Sequence, residues 1–521
     1  MSARVLRSAA RSFLVREILN RGSARSPSKQ QRPCSRKSTV QPANNSKTEP
    51  AKFRFKNLGP IEEAELELGG LTIIAGRNNT GKTYMVYSLY GYLKTWRELR
   101  PYKLADTLID NALGPVSLTV EELARIVLAE GRASWKVDRE MLSKERAQVI
   151  RELNRRYSRE ALADVFNSSQ DTFESASIEA EPSKFPGKHT FSLEVGSGTS
   201  ISMEFDGSEI VLSYRYNLSD ADLAVEQLRL AGLIPSFYLF FLVRSIPELG
   251  YIPFIFPAER FGISLFYKEL DISKNRLVDL LQKMGDDKTR ESLSPFDLIE
   301  SSTGRYALPI KDNINFTRDL PNIQKERSDF YKDKLFDYVK NIMEGYYKSS
   351  DDEVRFISKA RKQRSFNIPL HIASSSARGL SDLYFFLRHV ATRNHLLFID
   401  EPESHLDTAN QVQFARLLAR LVQSGAKVLV TTHSDYIVKE VNNLIMLSRS
   451  FDNKSKLVKK LKYDKDDFID PGIVRAYVAE RNSLTPCKID QFGIDFPVFD
   501  KAIDDINRVS NELASRVIVE G

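Results

Sequence analysis

The sequence predicts an α/β protein: a mixed β-sheet flanked by helices, carrying an inserted helical arm and a small β subdomain. Three short apolar runs, "LTIIA" at 71–75, "HLLFID" at 395–400 and "AKVLVTTH" at 426–433, have the pattern of strands buried on both faces. Helical stretches at 379–390 and 406–422 alternate with the last two runs, the rhythm of a parallel sheet. The first run breaks into a glycine-containing polar loop, "GRNNTGKT", and a helix follows at about 81–96.

The remaining elements follow in order. "KFRFKNLG" and "EEAELEL" alternate apolar and polar residues and read as two edge strands. Residues 97–167 read as helical, with charges of both signs intermixed, which fits a solvated arm better than a binding stripe. "HTFSLEV", "SISMEF" and "EIVLSYRY" read as three strands, and a helix spans 220–249. Within it "PSFYLFFLV" is too short to cross a bilayer and reads as buried, and no apolar run reaches 18 residues. "YIPFIFPA" is a strand, helices dominate 262–347, and "EVRFISK" with "SFNIPLHIAS" reads as a hairpin. A closing helix is expected at 498–517. The organisation is therefore a tail at 1–50, the first part of the main domain at 51–96, an insertion at 97–250, and the second part at 251–450. That second part contains a helical insertion at about 265–347, and a helical segment at 451–521 ends the chain.

With 521 residues, 42% hydrophobic and 28% charged, the composition is that of an ordinary globular protein. Cys34 and Cys487 lie far apart and match no metal spacing, which suggests a reducing compartment. The net charge of +7 is concentrated at one end. Eleven Lys and Arg against Glu17 and Glu49 give residues 1–50 a charge of +9, so residues 51–521 carry −2. A near-neutral body gives no licence for nucleic-acid binding as a whole. The tail, rich in Arg and Ser, has the composition of an organellar transit peptide and equally of a disordered extension. The expected location is cytoplasmic, or organellar if the tail is a transit peptide.

Gly76-Arg77-Asn78-Asn79-Thr80-Gly81-Lys82-Thr83 fits the phosphate-loop pattern G-x-x-x-x-G-K-[ST]. The glycines let the backbone curl so that successive N–H groups point at a phosphate, and the helix N-terminus adds partial positive charge. Lys82 is placed to reach the β- and γ-phosphates, and the Thr83 hydroxyl to ligate Mg²⁺. The ligands implied are ATP and Mg²⁺.

Leu396 to Ile399 deliver Asp400 and Glu401 to the edge of the sheet at which ligands of open α/β sheets bind. Asp400 is placed to hold the metal and Glu401 to act as general base on the attacking water. Pro402 stops the strand, "SHLD" follows with Asp407, and about 30 residues after Asp400 the next apolar strand ends in His433.

The order of these segments resembles the ABC-type ATPase head, as in RecF, SMC and overcoming-lysogenization-defect (OLD) proteins. "FKNLGPIEEAELELGGLTIIAGRNNTGKT" resembles the RecF/OLD branch, and "IPFIFPAER" with "TTHSDYIVKEVNNLIML" a sub-branch of stand-alone ATPases associated with bacterial anti-phage systems. The resemblance covers 51–96, about 251–265 and 370–450. It implies that His433 contacts the γ-phosphate region, that Asp407 lies at the nucleotide, and that "ASSSARGLSDLYFFLRH" is the signature segment. There Ser374, Ser375 and Ser376 precede a helix whose N–H groups would face a phosphate on a second subunit. The usual Ser-Gly-Gly-Gln is replaced by Ser-Ser-Ser-Ala-Arg-Gly. Glu259 and Arg260 stand near the place of the family's glutamine loop, for sensing or as a strand-end salt bridge.

The resemblance further implies a homodimer, or a higher assembly of dimers, closed around ATP as a sensor or switch. "SRVIVEG" resembles the start of a Toprim nuclease, but a closing helix fits better, so effector activity is expected of a separate protein. The alternative is a DNA-repair clamp like RecF. DNA is a candidate partner through "RFISKARKQRSF" (Arg355, Lys359, Arg361, Lys362, Arg364) and "KSKLVKKLK" (Lys454, Lys456, Lys459, Lys460, Lys462). A membrane partner is not expected.

Overall fold

A computed structural model describes residues 50–98, 120–195, 199–215, 223–266, 306–333, 335–350, 353–359, 366–480 and 482–520. The basic tail before Pro50, the arm at 99–119, the insertion at 267–305, and Arg361, Lys362 and Arg364 lie outside the described residues.

In chain order the principal elements are β1 (Lys52–Leu58), β2 (Ile61–Glu67), β3 (Leu71–Gly76), α1 (Lys82–Glu98), α2 (Val120–Glu130), β4 (Arg132–Lys136), α3 (Arg139–Arg156), β5 (Ser177–Glu181), β6 (His189–Val195), β7 (Thr199–Phe205), β8 (Glu209–Arg215) and α4 (Leu223–Arg244). Then come β9 (Ile252–Phe256), α5 (Leu308–Arg318), α6 (Phe336–Ile342), β10 (Gly345–Ser349), β11 (Val354–Ser358), β12 (Asn367–Pro369), α7 (Ser375–Phe385), β13 (His395–Ile399), α8 (Thr408–Gln423), β14 (Lys427–Thr432), α9 (Asp435–Ser448), α10 (Lys454–Leu461), β15 (Val474–Glu480), β16 (Ser483–Pro486) and α11 (Pro497–Glu520). None of the helices among the described residues is long and apolar enough to cross a membrane.

The chain divides into two units. One gathers Leu93–Tyr157 and Glu179–Tyr251; the other gathers Arg54–Tyr92, Ser158–Ile178 and the residues from Ile252 onward.

The first unit holds an antiparallel sheet in the order β4-β8-β7-β6. The three expected strands are β6 to β8; the fourth, β4, was not expected, and it pairs antiparallel with β8. Helix α3 corrects the reading of 97–167 as a solvated arm. Leu142, Arg146, Val149, Ile150 and Leu153 are buried at helical spacing, so a charged helix turns one face inward. It packs on α4, whose Phe237, Phe241 and Leu242 are buried as the "PSFYLFFLV" run requires.

The second unit is built on a six-stranded sheet in the order β16-β15-β3-β14-β13-β9. All neighbours are parallel except β16 on β15, which makes the sheet mixed. Leu71, Ile73, Leu397, Ile399, Val428 and Val430 join Leu380, Tyr384, Phe414, Leu417 and Leu421 in one apolar cluster. On the other face Phe398 meets the Tyr90 ring of α1 edge-on at 5.8 Å. Burial on both faces is why these strands read as unbroken apolar runs, each such side chain contributing about 1.5–3 kcal/mol.

Two parts differ from expectation. Residues 451–521, read as helical, carry β15 and β16, and β15 lies beside β3 with Ala479 opposite Gly76. "VRAYVAE" is rich in good helix formers, and pairing in the sheet overrides that preference. The hairpin of β11 and β12 is the outer part of a three-stranded sheet, because β10 pairs antiparallel with β11. The closing helix is present as α11.

Candidate functional site

The C-terminal ends of β3, β13, β14 and β9 all reach one edge of the sheet, because these strands run parallel in register. Val430 pairs with both Ile73 and Ile399, and Ile399 with Phe256. That edge receives the phosphate loop, the two acids, His433 and the Glu259–Arg260 turn.

The loop is shaped by its glycines and closed by its lysine. Gly81 adopts φ +88°, and a Cβ there would lie 2.7 Å from Ile61 Cγ1, so only glycine fits. Asn79 takes the left-handed conformation (φ 62°) that asparagine tolerates. Thr80 Oγ1 donates to the Arg77 carbonyl at 2.9 Å. Lys82 Nζ curls back over the loop and donates to the carbonyls of Gly76 (3.2 Å) and Arg77 (2.8 Å). Burial depresses the Lys82 pKa, opposed by the charges of Glu401, Asp400 and Glu403.

Asp400 is the hinge between loop and sheet. Thr83 Oγ1 donates to its Oδ2 at 3.2 Å, and Thr431 Oγ1, from the neighbouring strand, donates to its Oδ1. The residue is 1% exposed. Burial, with the charges of Glu401 and Glu259, pushes its carboxyl up to about 6.

Glu401 follows with φ 46°, its N–H held by Thr431 Oγ1 at 3.0 Å. Its Oε1 stands 3.4 Å from His433 Nε2, and Ser404 Oγ donates to Oε2 at 3.4 Å. The His433 hydrogen bond holds its carboxyl below the ordinary glutamate range, so it is ionised at neutral pH. Glu403 also belongs to the site, though its place was not apparent from the sequence. Its carboxylate accepts from Thr432 Oγ1 at 3.0 Å and from the His433 N–H, anchoring the turn that presents His433. A third acid inside "DEPES" was the available signal.

The Glu259–Arg260 turn corrects the strand-end salt-bridge alternative. Tyr87 Oη donates to Glu259 Oε2 at 2.9 Å. Arg260 is 4% exposed and donates to the carbonyls of Pro257, Gly379, Asp400 and Glu401, so its hydrogen bonds make it a strut among backbone segments rather than a strand-end salt bridge.

Thus Lys82, Thr83, Asp400, Glu401 and His433 come together. Ser375, Ser376 and Asp407 make their hydrogen bonds at their own helix starts. Ser374 caps α7, its Oγ accepting from Ala377 N at 3.2 Å. Ser376 Oγ lies 3.1 Å from Ser374 Oγ, and Ser375 Oγ accepts from Arg378 Nη2 at 3.1 Å. Asp407 caps α8, accepting from Asn410 N at 2.9 Å. Of the basic stretches, Arg355 is tied to Glu353 and to Asn367, whereas α10 has no buried residue.

A magnesium ion fits this edge. Asp400, Glu401, Glu403 and Glu259 outnumber the cations Lys82 and Arg260, and a buried carboxyl pushed up to about 6 is one that a bound cation would return to its ionised form. Thr83 and Asp400 supply two oxygens at 3.2 Å from each other. A small protein ligand set suits Mg²⁺, which keeps waters and phosphate oxygens as its other ligands.

The sheet order, the loop between β3 and α1, and the paired acids after β13 define a P-loop ATPase fold. A family model described as an AAA ATPase domain matches residues 267–438. That third of the chain includes α7, Asp400, Glu401 and His433 but not the phosphate loop. The chain matches no curated protein. Among solved structures it is similar to the Smc head domain of Pyrococcus furiosus, with an extended coiled coil and bound to the C-terminal domain of ScpA, at 14% identity, covering 88% of this chain and 98% of that one (TM-score 0.26). It is also similar to the SMC head domain from Thermotoga maritima, at 11% identity over 85% of this chain and 100% of that one (TM-score 0.28). With TM-scores this low, the fold rests on the sheet and the site themselves.

Proposed function

We propose that the chain binds and hydrolyses ATP as an ABC-type ATPase, closing as a dimer around the nucleotide and acting as a switch. The observation that carries this reading is the Thr83–Asp400 hydrogen bond of 3.2 Å, which joins the phosphate loop to the acid pair, with Glu401 and His433 3.4 Å apart beside it. Lys82 Nζ, now donating to loop carbonyls, is the donor that turns to the phosphates. Thr83 and Asp400 would hold Mg²⁺, which when bound neutralises phosphate charge. Glu401 accepts the proton of the attacking water, and His433 fixes the carboxylate in its ionised form. The N-terminus of α7, with Ser375 and Ser376, is the group left to meet a phosphate on a second copy, and Asp407 at the start of α8 would stand beside the nucleotide.

Nucleotide measurements test this. Lys82→Ala is expected to lose ATP binding. Glu401→Gln is expected to keep ATP binding, lose turnover by about 10²–10⁴-fold, and shift to a dimer in solution sizing. Turnover independent of protein concentration, with Glu401→Gln monomeric in ATP, would sink the dimer.

Control of a separate nuclease or toxin in anti-phage defence is supported by the sequence resemblance alone. The exposed Lys456, Lys459, Lys460 and Lys462 of α10 and its C-terminal cap favour a second reading, a DNA-bound clamp. DNA stimulation of turnover that falls steeply with salt would select the second.

A further inference from the structure

We propose that Arg260 is a positioning residue that couples the N-terminal half of α7 to Glu401, so that engagement of α7 by a nucleotide on a second copy sets the general base. The inference rests on the dimeric ATPase reading above and adds the route by which one half of the composite site reaches the other.

Three segments far apart in sequence meet on one guanidinium. Nε donates to the Gly379 carbonyl of α7 at 3.2 Å. Nη1 donates to the Asp400 carbonyl at 2.7 Å and to the Pro257 carbonyl at 3.1 Å. Nη2 donates to the Glu401 carbonyl at 2.9 Å. The fork is planar and rigid, so its bonds cannot shift independently. A displacement of α7 by an ångström either breaks the Gly379 bond or turns the plane and draws the Asp400 and Glu401 carbonyls with it.

Glu401 is where such a pull has effect. Its φ of 46° is a conformation that a non-glycine residue keeps only when its surroundings hold it. Arg260 holds its carbonyl and Thr431 Oγ1 its N–H. The residue whose side chain, also held by His433 and Ser404, must face the attacking water therefore has its backbone set by two bonds, one of them leading to α7. A second grip steadies the same helix: Thr317 Oγ1 of α5 donates to the buried Asp382 Oδ2 at 3.1 Å. A lysine at 260 keeps the charge, but its single ammonium cannot span α7 and both acids.

The test compares wild type with Arg260→Lys, reading fluorescent-ATP affinity, KM, kcat and the Hill coefficient, with thermal unfolding as a check on folding. Affinity and KM are expected to stay within about twofold, while kcat falls about 10- to 100-fold and the Hill coefficient drops toward one. Wild-type kcat and Hill coefficient in Arg260→Lys would overturn the proposal. Where that variant does not fold, hydrogen exchange of the 400–404 peptide decides, comparing wild type with Ser376→Arg, both saturated with ATP. Slower exchange in wild type supports the coupling, and equal rates overturn it. A wild-type chain that neither dimerises nor hydrolyses ATP would instead sink the proposed function, an outcome read from wild type before any variant is made.

Discussion

Glu401 Oε1 and His433 Nε2 lie 3.4 Å apart at the ends of two adjacent parallel strands, β13 and β14. The register of two apolar strands thus sets the distance between the proposed base and its hydrogen-bond partner, and that bond is the largest of the causes lowering the Glu401 pKa. His433→Ala is expected to lower kcat about 10- to 100-fold. It also removes the lowering influence, so the acid limb of the pH–rate profile should move to higher pH. An acid limb that stays in place in His433→Ala would dissociate the histidine from the base.

Asp400 carries a stability signature of opposite sign to that of an ordinary salt-bridged carboxylate. Its folded pKa is raised from 3.8 to about 6. The stability associated with its protonated form is fully present below pH 3.8 and is lost as pH rises through about 6. Asp400→Asn, a neutral isostere, should therefore stabilise the nucleotide-free and metal-free protein at pH 8 by about 1–3 kcal/mol, with a smaller gain at pH 5. Calorimetry at the two pH values measures the difference. Equal shifts at both would mean that the burial of charge is not felt.

Much of this site could be read directly from the residues. The buried strands at 71–75, 395–399 and 427–432 announce themselves because apolar residues fill both faces, and the loop chemistry after Gly76 is local in sequence. What was missed depends on partners far along the chain. Arg260 acquires its place only when Gly379, Asp400 and Glu401 arrive around it. β15 becomes a strand because β3 is beside it, and Arg146 is buried because α3 turns that face inward. No local periodicity encodes those meetings.

Gly81 gives a backbone prediction. With φ +88° and Ile61 Cγ1 2.7 Å from any added Cβ, Gly81→Ala should cost about 1–3 kcal/mol in urea unfolding and weaken ATP binding. Ile61→Ala added to it relieves the contact but not the dihedral, so the double variant should recover only part of the ATP affinity. Full recovery would assign the whole defect to the contact.

The serines at the start of α7 separate by the bonds they already make. Ser374 Oγ accepts from Ala377 N and Asp407 from Asn410 N, so each caps a helix within the single chain. Ser374→Ala and Asp407→Ala should each lower stability by about 1 kcal/mol. Ser376 makes a hydroxyl–hydroxyl contact with Ser374 and caps nothing. Ser376→Ala should therefore leave the unfolding midpoint nearly unchanged while lowering turnover, if turnover takes place in the proposed dimer. Because the cap lies within one chain and the proposed phosphate contact would span two, the two effects should come apart on dilution. The Ser374→Ala stability loss should persist at any protein concentration, and the Ser376→Ala turnover defect should shrink as wild type itself dissociates. A Ser376→Ala defect of constant size across that range would place Ser376 outside the shared site.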